Sequence, residues 1–310
     1  MSWKIFAHGD SDGICSGAIL KKALGGKVWF TNPVGLLGDL GDVRNQNVAI
    51  TDIAITNAHK DKIVEEMKRI SKNNKLIYVD HHPYPGDLDI PGEVHHETDK
   101  SSSEIAYFSM KDELPREFVK VTLYGAIGDY ADNTEWALNE MERWDKRVIY
   151  FQSGMLSEAL GEARGKYDLK RIWVNKFCNG KEPSEIDKLV ELALREAKYD
   201  KELYYDIEEG VEEIGDVSYA VIDIGSLSKG AHFAMGITDN KVGVCGIEDK
   251  EDVDMSIRTR RETDINLNDA VSKAAENVGG VGGGHESAAG ASVPKNKFEN
   301  FVENLDKLIS

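Results

Sequence analysis

Four short stretches of the chain hold the side chains best suited to chemistry. The first is His8-Gly9-Asp10-Ser11-Asp12-Gly13, one imidazole and two carboxylates, each separated by one residue. Asp52 follows Val48-Ala49-Ile50-Thr51, and Asp80-His81-His82 follows Leu76-Ile77-Tyr78-Val79. Asp129 follows Gly125-Ala126-Ile127-Gly128. Taken singly, each acid reads as a helix cap, with Asp12 satisfying the N–H groups of the helix after the first loop. Four caps of acid and histidine, each at the end of an apolar run, read better as one shared site. The set His8, Asp10, Asp12, Asp52, His81 and Asp129 offers two imidazoles, four carboxylates and no thiolate. Such oxygen-rich donors suit Mn2+, with Mg2+ as the alternative, rather than structural zinc, which prefers Cys and His. Six ligands are too many for one ion with open positions. Two ions sharing a bridging carboxylate fit, and Asp52 is the expected bridge.

Positioning these residues calls for alternating strands and helices. Strands are expected at 3–7, 28–30, 48–55 and 76–79. A helix is expected over about 14–24, ended by Gly25-Gly26. Thr56 or Asn57 would cap another, with Ile63, Val64, Met67 and Ile70 on one face. Ser101-Ser102-Ser103-Glu104 resembles a capping box, and helix continues to about 205. Beyond Val217, strands are expected at 219–222, 232–237, 242–244 and 288–293. Helices are expected at 266–277 and 297–308. The pattern predicts an α/β fold: an N-terminal parallel Rossmann-like sheet flanked by helices, a helical linker, and a smaller C-terminal α/β domain with a mixed sheet. The expected divisions are 1–190, 191–210 and 211–310. In an open α/β sheet, ligands collect at the carboxyl ends of the strands, and each of the four stretches, the one ending at Asp129 included, reads as such a strand end near the same edge.

Composition narrows the function classes. Of 310 residues, 38 are Lys or Arg and 55 Asp or Glu, a net charge of −17. With 41% hydrophobic residues the chain can bury a core, which excludes a disordered or collagen-like protein. The acidic balance argues against non-specific binding along a nucleic-acid backbone. Cys15, Cys178 and Cys245 are odd in number and widely spaced, so no disulfide framework or zinc ribbon is expected. Free thiols suit a reducing cytosol. Met1-Ser2-Trp3-Lys4 gives way to polar residues by His8, too early for the apolar core of a signal peptide. No apolar run approaches the ~20 residues of a membrane helix. The expectation is a cytoplasmic protein without a membrane partner.

His8-x-Asp10-x-Asp12-Gly13, Asp52, Asp80-His81-His82 and Asp129 resemble, in order and rough spacing, the four motifs of the DHH phosphoesterase family. That family includes RecJ-type single-strand exonucleases, nanoRNases and cyclic-dinucleotide phosphodiesterases, with family II pyrophosphatases as distant relatives. Ser256-Ile257-Arg258 and Gly282-Gly283-Gly284-His285-Glu286-Ser287-Ala288-Ala289-Gly290 are similar to the associated C-terminal domain. The resemblance implies an exonuclease or nanoRNase-like enzyme that cleaves phosphodiester bonds of single-stranded or short oligonucleotides. Two-metal activation of a bridging water would supply the nucleophile for in-line attack on phosphorus. It further implies that His82 binds the scissile phosphate and Asp80 orients the cluster. Arg258, Gly283, Gly284 and His285 would bind substrate. A homodimer and replication or repair proteins are the partners it brings into view.

Other readings compete with these. The glycine run follows an expected helix and leads into a strand, so it is no dinucleotide fingerprint. With His285 directly after it, a backbone N–H cradle for phosphate is expected over a plain hinge. Family II pyrophosphatases resemble His-x-x-x-Asp-x-Asp, whereas this chain has His-x-Asp-x-Asp. A replication-associated scaffold would have lost ligands, and all six stand here. The net charge favours short oligonucleotides over long strands, which usually need an electropositive groove. His95-His96 would point to opposite faces of a strand, away from a metal. Asp132 is a substitute for Asp129. Trp3, Trp29 and Cys15 are expected in the core, and Arg258, Arg260 and Arg261 form a basic cluster that is either a phosphate ridge or a solvated one.

Overall fold

In the computed structural model, which describes residues 2–260 and 263–309, the apolar runs of the first hundred residues pair side by side. They are β1 (Trp3–Ala7), β2 (Lys27–Phe30), β3 (Asn47–Thr51), β4 (Leu76–Asp80) and β5 (Glu93–His96). All pairings are parallel, in the order β2-β1-β3-β4-β5. Between them run α1 (Ser11–Leu24), α2 (Leu36–Gly41) and α3 (Lys60–Ser71). Then come α4 (Ser102–Met110), α5 (Phe118–Gly128), α6 (Glu135–Trp144), α7 (Lys146–Glu162) and α8 (Tyr167–Cys178). One core lies between the sheet and α1, α4, α5, α7 and α8; a second lies on the other face, beneath α2 and α3. The sheet is buried on both faces, which is why its central strands read as continuous apolar runs.

Residues 187–210 form one helix, α9 (Asp187–Gly210). The chain divides into two compact units, Met1–Glu196 and Ala197–Ser310. The second unit contains β6 (Glu212–Ile214), β7 (Val217–Ile222), α10 (Leu227–Thr238), β8 (Val242–Asp249) and β9 (Asp252–Thr259). It closes with α11 (Leu267–Asn277), β10 (Val281–Gly284), β11 (Ala288–Pro294) and α12 (Phe298–Ile309). Its sheet has the order β10-β11-β9-β8-β7-β6 and is mixed: β7 and β8 are parallel, the rest antiparallel. No helix among the described residues is long and apolar enough to cross a membrane.

Several expectations need correction. Residues 232–237, expected as a strand, belong to α10, which Ser226 caps by accepting from the Lys229 N–H. The apolar run there is too short for periodicity to separate helix from strand. The run ending at Asp129 is likewise a helix, α5, buried on nearly every side and so without a polar face to mark its period. Residues 52–55 lie beyond the end of β3. His59, rather than Thr56 or Asn57, stands at the N-cap of α3. The glycine run is not a loop at its C-terminal end: Val281–Gly284 is an edge strand paired with β11. Trp29 is not a core residue but lies 39% exposed on the edge strand β2.

Candidate metal centre

The strand order places β1 and β3 side by side, with β2 on one flank and β4 on the other. Such a reversal of strand order is where open α/β sheets gather ligands. His8 follows β1, Asp52 follows β3, and His81 follows β4, all at the carboxyl edge. Asp10 caps α1 by accepting the Gly13 N–H at 2.9 Å. Gly13 is needed there, because a Cβ would stand 2.3 Å from the His8 carbonyl oxygen. Asp52 holds φ at 58°, left-handed backbone that an aspartate tolerates better than a branched residue.

Asp12, expected to cap its own helix, caps a different one. Its two carboxylate oxygens accept the Ser102 and Ser103 N–H groups at 2.6 and 2.9 Å, at the N-terminus of α4. The positive end of that helix suits an anion. The Ser102 hydroxyl donates to Asp52 at 3.2 Å. Helix α5 passes so close that a Cβ on Gly125 would meet Ser103 Oγ at 2.5 Å and Asp12 Oδ1 at 2.8 Å. Asp129 ends α5 as its C-cap residue.

The six expected ligands come together around Asp52. His8 Nδ1 lies 2.6 Å from Asp10 and 3.8 Å from Asp52. His81 Nε2 lies 3.4 Å from both Asp52 and Asp129. Three overlapping triads, His8-Asp10-Asp52, Asp12-Asp52-His81 and Asp52-Asp80-His82, each bring ligand atoms within 4.8 Å, and Asp52 is common to all three. Asp80 is fully buried, accepting from the Tyr78 hydroxyl at 2.8 Å and bonding His82 Nδ1 at 2.9 Å. It thereby fixes the His82 ring.

The charges of this cluster are poorly balanced from within. Burial, then the charges of Asp10, Asp12 and Asp129, pushes the Asp52 carboxyl well above the usual range. Burial, followed by the charges of Asp12, Asp10 and Asp80, pushes Asp129 up to about 9. Asp12 is also raised, by burial above all. Asp10 is the exception: burial raises it, but the neighbouring His8 outweighs that and holds it far below the ordinary value. Burial lowers His81, while the Asp80 carboxylate overcomes burial to raise His82. Buried carboxylates that crowd together keep protons unless a cation balances them. Asp52 Oδ2 is buried without any hydrogen-bond partner. That orphaned oxygen, amid carboxylates and imidazoles with no thiol ligand, is what divalent ions of the Mn2+ or Mg2+ type fit.

The other candidates of this unit have different tasks. His96 stacks on Tyr84 with ring centroids 3.8 Å apart and bonds the His82 carbonyl at 2.8 Å. His95 bonds Glu93. Asp132 accepts from the Tyr150 hydroxyl at 2.9 Å. Cys15 is fully buried. Sequence reasoning missed Ser102, Ser103, Tyr78 and Lys170, whose ammonium donates to the Gly9 carbonyl. The serine run was visible, but nothing local ties it to an acid ninety residues earlier.

Two family models match the chain: the DHH family N-terminal domain over residues 4–127, and the DHHA1 domain over residues 217–310. The chain carries a DHH family N-terminal domain followed by a DHHA1 domain. Among solved structures, the pGpG-specific phosphodiesterase PggH from Vibrio cholerae is similar over 100% of this chain and 99% of its own, at 14% identity and TM-score 0.63. RecJ from Thermus thermophilus in complex with Mn2+ has TM-score 0.67 and 16% identity over 99% of this chain, which spans 51% of that RecJ. An exopolyphosphatase-related protein from Bacteroides fragilis has TM-score 0.59 and 14% identity, with 99% and 91% coverage. At such identities the likeness shows the fold. No curated protein matches the sequence significantly.

Within the DHHA1 domain, Arg258 lies on β9, and its guanidinium donates to the Ile257 and Ala289 carbonyls at 2.8 and 3.4 Å. Gly283 and Gly284 lie on β10, and His285 follows. The Gly284 N–H donates to Asn268 Oδ1 at 3.1 Å and the His285 N–H to the Ala288 carbonyl at 2.8 Å. A phosphate cradle made of these two N–H groups is therefore filled from within the chain. Arg260 pairs with Asp239 and bonds the Asn240 carbonyl, which makes it part of a solvated rim rather than a ridge. Arg261 lies outside the described residues.

Proposed function

We propose that the chain is a Mn2+-dependent phosphoesterase that hydrolyses phosphodiester bonds of short or single-stranded oligonucleotides, from one end or as dinucleotides. The observation that carries this reading is the buried ring of mutually repelling carboxylates around the orphaned Asp52 Oδ2. The DHH family N-terminal domain and the DHHA1 domain support it. His8, Asp10, Asp12, Asp52, His81 and Asp129 would hold two ions, with Asp52 shared between them. Bound there, divalent ions make water a stronger acid and neutralise charge on phosphoryl oxygens.

The chain's own residues do the rest. Ser102 and the N-terminus of α4 hold Asp52 and Asp12 in place against their repulsion. Asp80, itself held by Tyr78, favours a proton on His82 against burial and orients the ring to bind the scissile phosphate. Arg258 and His285 would grip the substrate through their side chains, and Gly283 through its backbone. Cytoplasmic residence, a homodimer and replication or repair partners belong to the same proposal.

The test is a Mn2+-dependent assay on 5′- and 3′-labelled oligonucleotides from dinucleotide to ~40-mer, with pyrophosphate and cyclic dinucleotides alongside. Release of mononucleotides from the oligonucleotides is the expected result. Turnover confined to pyrophosphate would replace the reading with phosphoanhydride hydrolysis. No turnover with metal bound would make the protein a scaffold.

A further inference from the structure

The net charge of −17 conceals a concentration of cations along one edge of the parallel sheet. On the edge strand β2, the Trp29 indole has three cations around it. Lys27 Nζ is 4.5 Å from the ring centroid, Lys4 Nζ 5.1 Å and the Arg171 guanidinium carbon 5.6 Å. Beside the ring, a hollow of about 510 Å³ is lined by Lys21, Lys27, Asp168 and Arg171 among others. Asp168, the one acid of that lining, is paired with Arg171. Lys21 and Lys22 donate to the Gly26 and Cys178 carbonyls, so neither is neutralised there. Among the described residues no carboxylate pairs with Lys4, Lys21, Lys22 or Lys27. An acidic protein that leaves four cations without counter-charges beside an exposed indole has arranged attraction where repulsion would be the default.

The strip also leads somewhere. Helix α8 runs along β2, and the Tyr167 ring, 38% exposed, meets Phe30 with centroids 6.1 Å apart. Phe30 is the last residue of β2, at the carboxyl edge of the sheet. Lys170, 5.8 Å from the Tyr167 ring, donates to the carbonyl of Gly9, inside the loop that carries His8 and Asp10. Tyr167 and Arg171, one turn apart on α8, thus carry the strip from the loop of His8 and Asp10 around the edge strand to Trp29 and Lys27, which face away from Phe30. From Phe30 to Lys27 the strand covers about 10 Å. At ~3.4 Å per stacked nucleotide, that accommodates about three.

We propose that this strip, Tyr167, Arg171, Trp29, Lys27 and Lys4, is a binding track for single-stranded nucleic acid flanking the scissile bond. Bases stack on Trp29 and Tyr167, and the lysines and Arg171 take the phosphates, the pairing of rings and cations by which single strands are held without base specificity. The inference rests on the phosphodiesterase reading and deepens it: substrates longer than a dinucleotide gain affinity here that a dinucleotide does not reach.

The test separates binding from catalysis. Anisotropy of 5′-labelled dT12 and rU12 is measured on the full chain in EDTA for wild type, Trp29→Ala, Lys27→Glu/Arg171→Glu, and Lys181→Glu/Lys188→Glu, a charge-matched control elsewhere on the same unit. Circular dichroism melts confirm that each variant folds. Trp29→Ala and the strip double variant should each weaken 12-mer binding about tenfold. The double variant should also flatten the salt dependence by about 1.4 in log–log slope, two phosphate contacts at ~0.7 each. In Mn2+, the ratio of dinucleotide KM to 12-mer KM should shrink for the strip variants only. Equal losses from the control variant would show a general charge effect and overturn the track. Undiminished binding by Trp29→Ala, with polyglutamate competing as well as dT12, would make the strip a contact for acidic protein. Absence of hydrolysis alongside intact, strip-dependent binding would count against the phosphodiesterase reading while leaving the track in place.

Discussion

The candidate residues of the two compact units sit in different surroundings. At the carboxyl edge of the first sheet, Asp12 and Asp52 are buried among further carboxylates, and one oxygen of Asp52 has no partner. In the second unit, the polar groups of the glycine strand and of β9 are bonded at home: Gly284 to Asn268, His285 to Ala288, Arg258 to two carbonyls, Arg260 to Asp239. Burying like charges costs stability, and such costs persist where function requires them. The cluster in the first unit is therefore one that a cation would balance, whereas the groups just named on or next to β9 and β10 have partners within their own unit. A ligand that meets these groups must compete with existing hydrogen bonds.

The strongest way to break this contrast is Asp52→Asn. If the first unit gives up stability for its site, activity and stability should move in opposite directions. Mn2+-dependent hydrolysis should fall by at least about a thousandfold, because the carboxylate proposed to be shared between the ions would be gone. The melting temperature in EDTA should hold or rise, because the amide keeps the shape and folds without having to take up a proton. Initial rates and a thermal melt check both halves. A melt several degrees lower would mean that Asp52 holds the fold rather than the ions.

The pH dependence of the metal-free protein sharpens the same point. In the folded state Asp129 is raised to about 9 and Asp52 is raised as well, whereas both titrate near 4 once unfolded. Between those limits the folded chain binds more protons than the unfolded one, so raising the pH disfavours folding. In EDTA, the melting temperature should fall from pH 5 to pH 8.5. Saturating Mn2+ should remove most of the fall, since the ions take the place of the protons. In Asp52→Asn, the slope in EDTA should be shallower. A flat profile in EDTA would show that the cluster is balanced without metal.

The contrast also explains what could be read from the sequence. Strand ends followed by acid or histidine were legible because β-strand position fixes where the next residue falls. Helix α5 was not, because Val119, Val121, Leu123, Tyr124 and Ala126 are all buried and leave no 3.6-residue rhythm. The capping of α4 by Asp12 joins residues ninety positions apart and has no local trace. Trp29 misled for the reverse reason: one edge strand has a neighbour on one side only, and alternation along Lys27–Phe30 turns the indole outward. Composition could not show that cations gather there, since a sum of charges carries no positions.

The smallest expected effect tests the second unit itself. Arg258 and Arg260 are two residues apart and equally basic, yet their surroundings differ. The guanidinium of Arg260 is spent on Asp239 and the Asn240 carbonyl at the surface. Exposed pairs of this kind contribute about 0–1 kcal/mol. Arg260→Ala should therefore change KM for a dinucleotide less than about twofold and leave the melting temperature nearly unmoved. Arg258, half-buried, is held in one place by the Ile257 and Ala289 carbonyls. Arg258→Ala should raise KM about tenfold with little change in kcat, the signature of binding shared by ground and transition states. Steady-state kinetics on the two variants decide between a single gripping arginine and a ridge. If Arg260→Ala raises KM as much as Arg258→Ala, the ion pair with Asp239 opens for substrate, and the second unit is less self-satisfied than its hydrogen bonds indicate.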